Sequence, residues 1–451
     1  MGFNMSLSKY PNERNFREQV AFLAEYARLM HEYGAGTAGG ASAFENPIEA
    51  ILGEAESNLA AAIERLKALP IDNKLAMDEP DDLPAIRALR PDGPRRIWRA
   101  FDEDAYLDKL EGAMLARFAG CTLGAIVEGW SVEAMQKWAE YLNFPFPPTD
   151  YWPKAKSPGD FRYEVGRCDS YTSEKMDGVP VDDDVTYTIL GLLIAERYGI
   201  DFTVADVGDA WLKLLPYACT AEDVALKNLK AGIPAERAAD VNNPYCQWIG
   251  ADIRSDPWAY LAPGWPEKAA EFAWRDAYLS HRRNGIFGEM YFSAAMSAAF
   301  AVDNAADALR AGLCEIPKNC MLYHDVVWAL DESRNIRNYK DARAAVDERF
   351  AGMHHVHTQN NAALTIFGLI IGEGDVTRVL SEVIAMGMDN DCTAATAGSI
   401  AGAIAGKKNL APHWYSRFNN KVYTYINGYP ELAIDDVARR FAAVARKIHS
   451  T

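Results

Sequence analysis

"EGAMLARFAGCTLGAIVEG", Glu111 to Gly129, places Gly112, Ala116, Gly120 and Gly124 at every fourth position of an apolar run. That spacing lines one face of an α-helix with a ridge of small side chains. A second ridge, Gly398, Gly402 and Gly406, runs through "DNDCTAATAGSIAGAIAG" (389–406). Glycine inside a helix costs about 1 kcal/mol relative to alanine, so a repeated glycine needs a return from packing. Two such ridges predict two helices in close backbone contact. Tight packing alone would account for them, but each ridge also ends at carboxylates. Glu128 follows the first, and Asp389 and Asp391 precede the second.

Outward from these ridges, helical periodicity recurs over 105–119, 186–198, 204–215, 267–280, 286–302, 318–332, 359–371, 375–387, 393–405 and 435–448. Alternating apolar and polar runs are short and rare, so the chain is read as an all-α, compact multi-helix bundle. Residues 1–103 form a separate N-terminal helical extension and linker ahead of a body at 104–451. In that extension "NFREQVAFLAEYARLMHEYG" and "NPIEAILGEAESNLAAAIERLKAL" have helical spacing, each beginning near an Asn that can cap. "GAGTAGGASA" and "DEPDDLPAIRALRPDGPRR" are connectors. "FPFPPTDYWP" (144–153) is an irregular loop of the length that borders sites.

The 451 residues are 49% apolar, enough for a large core, and carry a formal charge of −17. A broadly negative field argues against general nucleic-acid or anionic-membrane binding. Seven scattered cysteines without CxxC spacing imply a reducing compartment, and the expected location is the cytoplasm. The longest small-apolar stretch, Ala394 to Gly406, falls short of the ~20 residues of a membrane span.

The acids carry the chemistry. "VPVDDDVTYTILGLLIAERYG" (179–199) sets Asp182, Asp183 and Asp184 against an apolar helix. "AIDDVARRF" supplies a control, since Asp435 and Asp436 also precede a helix, where capping and the helix dipole suffice. A third acid exceeds what one cap uses. "MDNDCT" resembles half of an EF-hand loop, but Ala394 stands at its required glycine and Ile400 at its terminal glutamate, which rejects calmodulin-like calcium binding. Convergence of the five aspartates, with Glu128, would suit one or two Mg²⁺ or Mn²⁺ ions and not zinc. Cys392 is a poor ligand for Mg²⁺ and reads as a small buried residue.

Taken together, "GCTLGAIVEG" (120–129), "DDDVTYTILGLLIAE" (182–196) and "GMDNDCTAATAGSIAGAIAG" (387–406) resemble the three blocks of the ADP-ribosylglycohydrolase family. This family includes the dinitrogenase reductase-activating glycohydrolase and the ADP-ribosyl-acceptor hydrolases. The resemblance covers about 105–410. It implies an all-α hydrolase acting on ADP-ribosylated or other ribosyl substrates with a dinuclear Mg²⁺ or Mn²⁺ centre. On that resemblance Asp183 and Asp184 match one ligand pair and Asp389 and Asp391 the other. Asp182 stands in place of a threonine. Cys392 takes a Ser/Thr ligand position, with Thr393 one residue later, and Cys121 replaces an acid. Glu128 matches the glutamate beside the scissile bond and is the expected proton-transfer group, with Asp184 as a second catalytic acid. His281, Asn284 and Gly285 in "SHRRNGIFG", and His357, Asn360 and Asn361 in "HTQNN", are expected substrate contacts. His354 and His355 are read as surface residues.

Two rivals are weighed on residues. An isoprenoid-synthase-type DDxxD beginning at Asp182 would need acid at Thr186, and NDxxSxxxE from Asn390 would need Ser at Ala394 and Glu at Gly398. Both fail. A non-catalytic member of the same fold would have no reason to keep four aspartates and Glu128, although Cys392 keeps that reading open.

Overall fold

The computed structural model describes residues 13–35, 47–55, 58–154 and 169–450. These form two compact units, Met1–Pro80 with Asn242–Tyr245, and Asp81–Val241 with Cys246–Thr451.

Helices Glu13–Glu32, Pro47–Glu54, Leu59–Lys67 and Asn73–Asp78 build the first unit. The first ends before Gly34, whose φ of 69° lies in the left-handed region that glycine adopts freely. Asn15 falls in the first turn of this helix, and the position before Glu13 lies outside the described residues. Asn58 caps the third, its side chain accepting from Ala61 N at 3.1 Å. The second predicted helix is thus two shorter ones, and Asn46 and most of the "GAGTAGGASA" connector lie outside the described residues.

The second unit is all-α apart from a small antiparallel pair, Lys421–Tyr423 with Glu431–Ala433. Every helix predicted beyond residue 105 is present. Sequence reading passed over Val132–Leu142, Thr220–Lys230, Ser255–Leu261, Ala305–Leu313 and Tyr339–Arg349, all short helices of 7 to 11 residues. Five tryptophans, Trp138, Trp152, Trp211, Trp258 and Trp414, are fully buried in the core. Among the described residues no helix is long and apolar enough to cross a membrane.

Helices Glu103–Gly124 and Asn390–Ala405 cross at the two predicted ridges. A Cβ on Gly120 would lie 2.3 Å from the Ala394 carbonyl oxygen, and one on Gly402 would lie 2.3 Å from that of Gly112. No side chain fits, so backbone meets backbone. The loop at 144–153 packs inward through Trp152, whose Nε1 donates to Leu123 O at 3.2 Å at the end of the first ridge.

Candidate metal and catalytic site

The chain ahead of the aspartate triplet is held by the small sheet. Val179 pairs with Val422, donating to Lys421 O at 2.9 Å and accepting from Tyr423 N at 3.1 Å. Asp182 then caps the Asp183–Tyr198 helix, its carboxylate accepting from Asp184 N at 3.1 Å. The three acids therefore divide. Asp182 and Asp183 are partly buried, while Asp184 points into the interior. In the control helix, Ile434–His449, Asp435 and Asp436 sit in the first turn without capping.

Asp184 meets a cation that periodicity did not reveal. Arg117, on the first ridge helix and fully buried, donates from Nη2 to Asp184 O at 2.7 Å and to Ile253 O at 2.6 Å. The same nitrogen lies 3.4 Å from Asp184 Oδ1, and Nε donates to Thr188 Oγ1 at 2.8 Å. Nη1 pairs with buried Asp256. The other Asp184 oxygen accepts from the Cys392 thiol at 3.2 Å. A single charged residue among alanines and glycines was the available clue in the sequence.

The second aspartate pair reaches the site through the Asn390–Ala405 helix, with Asp389 at its N-cap and Asp391 in its first turn. Gly387 and Met388 turn the chain with φ of 73° and 64°. Gly129 N donates to Met388 O at 3.0 Å, which holds the Glu128 turn against the Asp389 turn. Potential ligand atoms of Glu128, Asp389 and Asp391 accordingly lie within 4.8 Å of one another. So do those of Asp184, Asp391 and Cys392, and those of Cys121, Asp182 and Asp184. Asp183 joins none of these groups. The Thr393 hydroxyl donates to Asp389 O at 3.0 Å, the back-bond usual for a buried helical threonine.

Electrostatics favour a cation here. Burial, followed by the charges of Asp389 and Asp183, pushes the Glu128 carboxyl up to about 7, although the side chain still reaches solvent. Burial also raises Asp182, Asp184, Asp389 and Asp391, with neighbouring carboxylates adding to the effect. Oδ1 of Asp389 and Oδ1 of Asp391 are buried and have no hydrogen-bond partner among the described residues. Leaving such oxygens without a partner is costly, and a divalent cation is the group that this donor set fits.

The remaining predicted residues fall mostly into structural roles. His281 is buried with Nδ1 2.8 Å from Ser280 Oγ. Asn284 joins Gln247 Oε1 at 2.9 Å to Leu322 N at 3.0 Å. A Cβ on Gly285 would lie 2.4 Å from Cys246 O. His357 caps the Thr358–Gly372 helix, its Nδ1 accepting from Gln359 N at 3.2 Å, and Asn360 Nδ2 donates to His354 O at 2.8 Å. Asn361 is the one that touches the cluster. Its Oδ1 accepts from Asp389 N at 3.4 Å while Nδ2 holds the His355 and His357 carbonyls, each at 2.8 Å. That clamp brings His355, read as a surface residue, close enough for its charge to pull Asp389 down against the effect of burial.

An aromatic rim was not foreseen. Tyr217 and Tyr425 have ring centroids 4.4 Å apart and planes inclined by 30°. Asn427 N donates to Leu214 O at 2.9 Å, tying the segment that carries Tyr425 to the loop that carries Tyr217. Burial and then nearby negative charge, Asp183 included, raise both phenols. Tyr217 is 52% exposed, so one ring of the pair is open to solvent beside the acids.

The sequence model of the family described as ADP-ribosylglycohydrolase matches residues 102–448. Among solved structures, the chain is similar to an ADP-ribosylglycohydrolase-related protein complex at 19% identity and a TM-score of 0.45. The similarity covers 76% of this chain and 99% of that one. No curated protein matches.

Proposed function

The chain belongs to the ADP-ribosylglycohydrolase family, and from that premise we propose that it is a metal-dependent hydrolase. It cleaves the glycosidic bond between ADP-ribose, or a related ribosyl group, and its acceptor. The observation that carries this reading is the convergence of Glu128, Asp389 and Asp391 around two buried carboxylate oxygens with no partner among the described residues.

Glycosidic cleavage passes through an oxocarbenium-like state and needs a proton for the leaving group and a base for water. Glu128 suits the first task, because a carboxyl near 7 holds its proton at neutral pH yet can give it up. It is also the solvent-reaching member of the cluster. Asp389 and Asp391, with Asp184 behind them, would hold Mg²⁺ or Mn²⁺, which when bound supplies Lewis acidity toward ribose oxygens and water. Arg117 fixes Asp184, and Asn361 fixes the Asp389 turn. The Tyr217–Tyr425 pair offers a flat face for stacking a planar part of the substrate.

A second reading draws on a specific observation. Both Asp184 oxygens already have partners, Arg117 and Cys392, and Asp183 stands apart from the ligand groups, as a non-catalytic binding member of the fold would allow. ADP-ribose release is measured across arginine, serine and nucleic-acid conjugates, with and without chelator. Metal-dependent release from at least one conjugate is expected. Tight ADP-ribose binding with no release from any conjugate would favour the binding reading, and release indifferent to chelation would overturn the proposed chemistry.

A further inference from the structure

We propose that Cys121 and Cys392 make the inner end of the cluster, around Asp184, a site for a thiophilic divalent cation of the Zn²⁺ type. The hard, all-oxygen ligands are thereby confined to Asp389 and Asp391, beside the proton-donating Glu128. The inference rests on the proposed function only in locating the cluster at the reaction centre.

Cys121 comes from the first ridge helix and Cys392 from the second, and both are buried. Ligand atoms of Cys121, Asp182 and Asp184 lie within 4.8 Å of one another, as do those of Asp184, Asp391 and Cys392. Asp184 is common to the two sets. Cys392 Sγ already points at Asp184 Oδ2, 3.2 Å away. Asp391 Oδ1, on a residue 4% exposed, has no partner among the described residues. The glycine ridges hold this arrangement, because the backbone at Gly120 abuts Ala394 and the backbone at Gly124 abuts Asp391. Each sulfur therefore sits in its own three-ligand group, Cys121 with Asp182 and Cys392 with Asp391, and Asp184 of the Asp183–Tyr198 helix joins the two groups beside the packed ridge helices.

Donor softness decides between ions. Magnesium takes oxygen ligands and gains little from sulfur, whereas zinc and cobalt accept thiolate and carboxylate together. The expectation that zinc is unsuited is drawn for five aspartates and Glu128, an all-oxygen set, and the two sulfurs are what change the donor chemistry here. Coordination is balanced by proton release. Each binding thiol gives its proton to solvent, that of Cys392 leaving its hydrogen bond to Asp184, and the freed sulfur lone pair forms the bond to the cation. No electron is transferred. The outer group of Glu128, Asp389 and Asp391 contains no sulfur, so its two aspartates stay suited to Mg²⁺ or Mn²⁺.

The test uses the full chain stripped by chelator and titrated with Co²⁺, a spectroscopic stand-in for Zn²⁺. A near-ultraviolet thiolate-to-cobalt charge-transfer band is expected. Zn²⁺ should displace it at one equivalent, and a large excess of Mg²⁺ should leave it in place. Cys121→Ser and Cys392→Ser should each weaken the band and the double variant abolish it, with Zn²⁺ affinity falling roughly tenfold or more. Cys314→Ser, which alters a thiol beside the Asp92 and Arg310 carbonyls and away from the cluster, should leave the band unchanged. Cobalt binding without a thiolate band overturns the proposal, and so does undiminished Zn²⁺ affinity in the folded double variant. The wild-type band is read directly, so a variant that fails to fold does not remove the test. No substrate is used, so failure of the glycosidase reading is a separate outcome.

Discussion

Gly124 and Asp391 approach so closely that a Cβ on the glycine would lie 2.4 Å from the aspartate Cα. The contact joins the fold to the chemistry, because the packing that closes the two ridges also sets the position of a carboxylate. Gly124→Ala is expected to push the first turn of the Asn390–Ala405 helix away from Glu128. Its cost should fall on folding and function together, because the Cβ would meet backbone and not a movable side chain. The expectation is at least a tenfold loss of Mn²⁺ affinity, on the order of 1.4 kcal/mol, read by calorimetric titration beside a circular dichroism spectrum that stays helical.

Arg117 is a fully buried basic side chain bonded to the carboxylate cluster through Asp184. Arg117→Met strands Asp184 and Asp256 in the core, and breaking a buried pair in this way costs about 3–5 kcal/mol. Arg117→Lys keeps the charge but loses the fork that spans two carbonyls and a hydroxyl, so it should lie between wild type and Met. Denaturant unfolding of the three proteins measures the order. Equal midpoints for wild type and Met would contradict the assignment.

The Glu128 carboxyl, raised to about 7 in the folded chain, gives a signed pH dependence. A group whose folded pKa exceeds its unfolded value, about 4.3 for glutamate, stabilises fully below the unfolded value and loses that contribution as pH rises through the folded one. In chelator, wild type minus Glu128→Gln stability should therefore decline from roughly pH 4.5 to about 7. Thermal unfolding of both proteins across that window measures it. Added Mn²⁺ should reverse the decline, because the cation binds the deprotonated carboxylates.

Tyr217 presents one ring of its pair to solvent. Tyr217→Ala removes that ring without touching the carboxylates. If the ring stacks a planar part of the substrate, KM should rise several-fold to about a hundredfold, the span of roughly 1–3 kcal/mol per stacked base, with kcat nearly unchanged. Tyr217→Phe should restore wild-type KM. A fall in kcat with KM unchanged would place the ring elsewhere in the mechanism.

Much of this was legible in the sequence because helical period and glycine spacing are local signals. The two ridges announced their own contact, and the aspartates stood at helix starts where a cap already placed them. What escaped notice depended on distant pairing. Arg117 reads as one charge in an apolar helix until its partners Asp184 and Asp256 are brought beside it. Tyr217 and Tyr425 lie on separate segments joined by the Asn427–Leu214 hydrogen bond, and neither has a pattern to betray it. His281, Asn284 and Gly285 hide a duty in the opposite direction. Their residue types suggest ligand contact, but the fold uses them for its own hydrogen bonds and packing.

The central claim is that cation and catalysis meet at Glu128, Asp389 and Asp391. The most direct measurement is single-turnover ADP-ribose release by Asp389→Asn, with Mn²⁺ binding followed in the same preparation. The account predicts that both fall together, and that release recovers partly as Mn²⁺ is raised toward saturation. Wild-type release from a variant that no longer binds Mn²⁺ would contradict it.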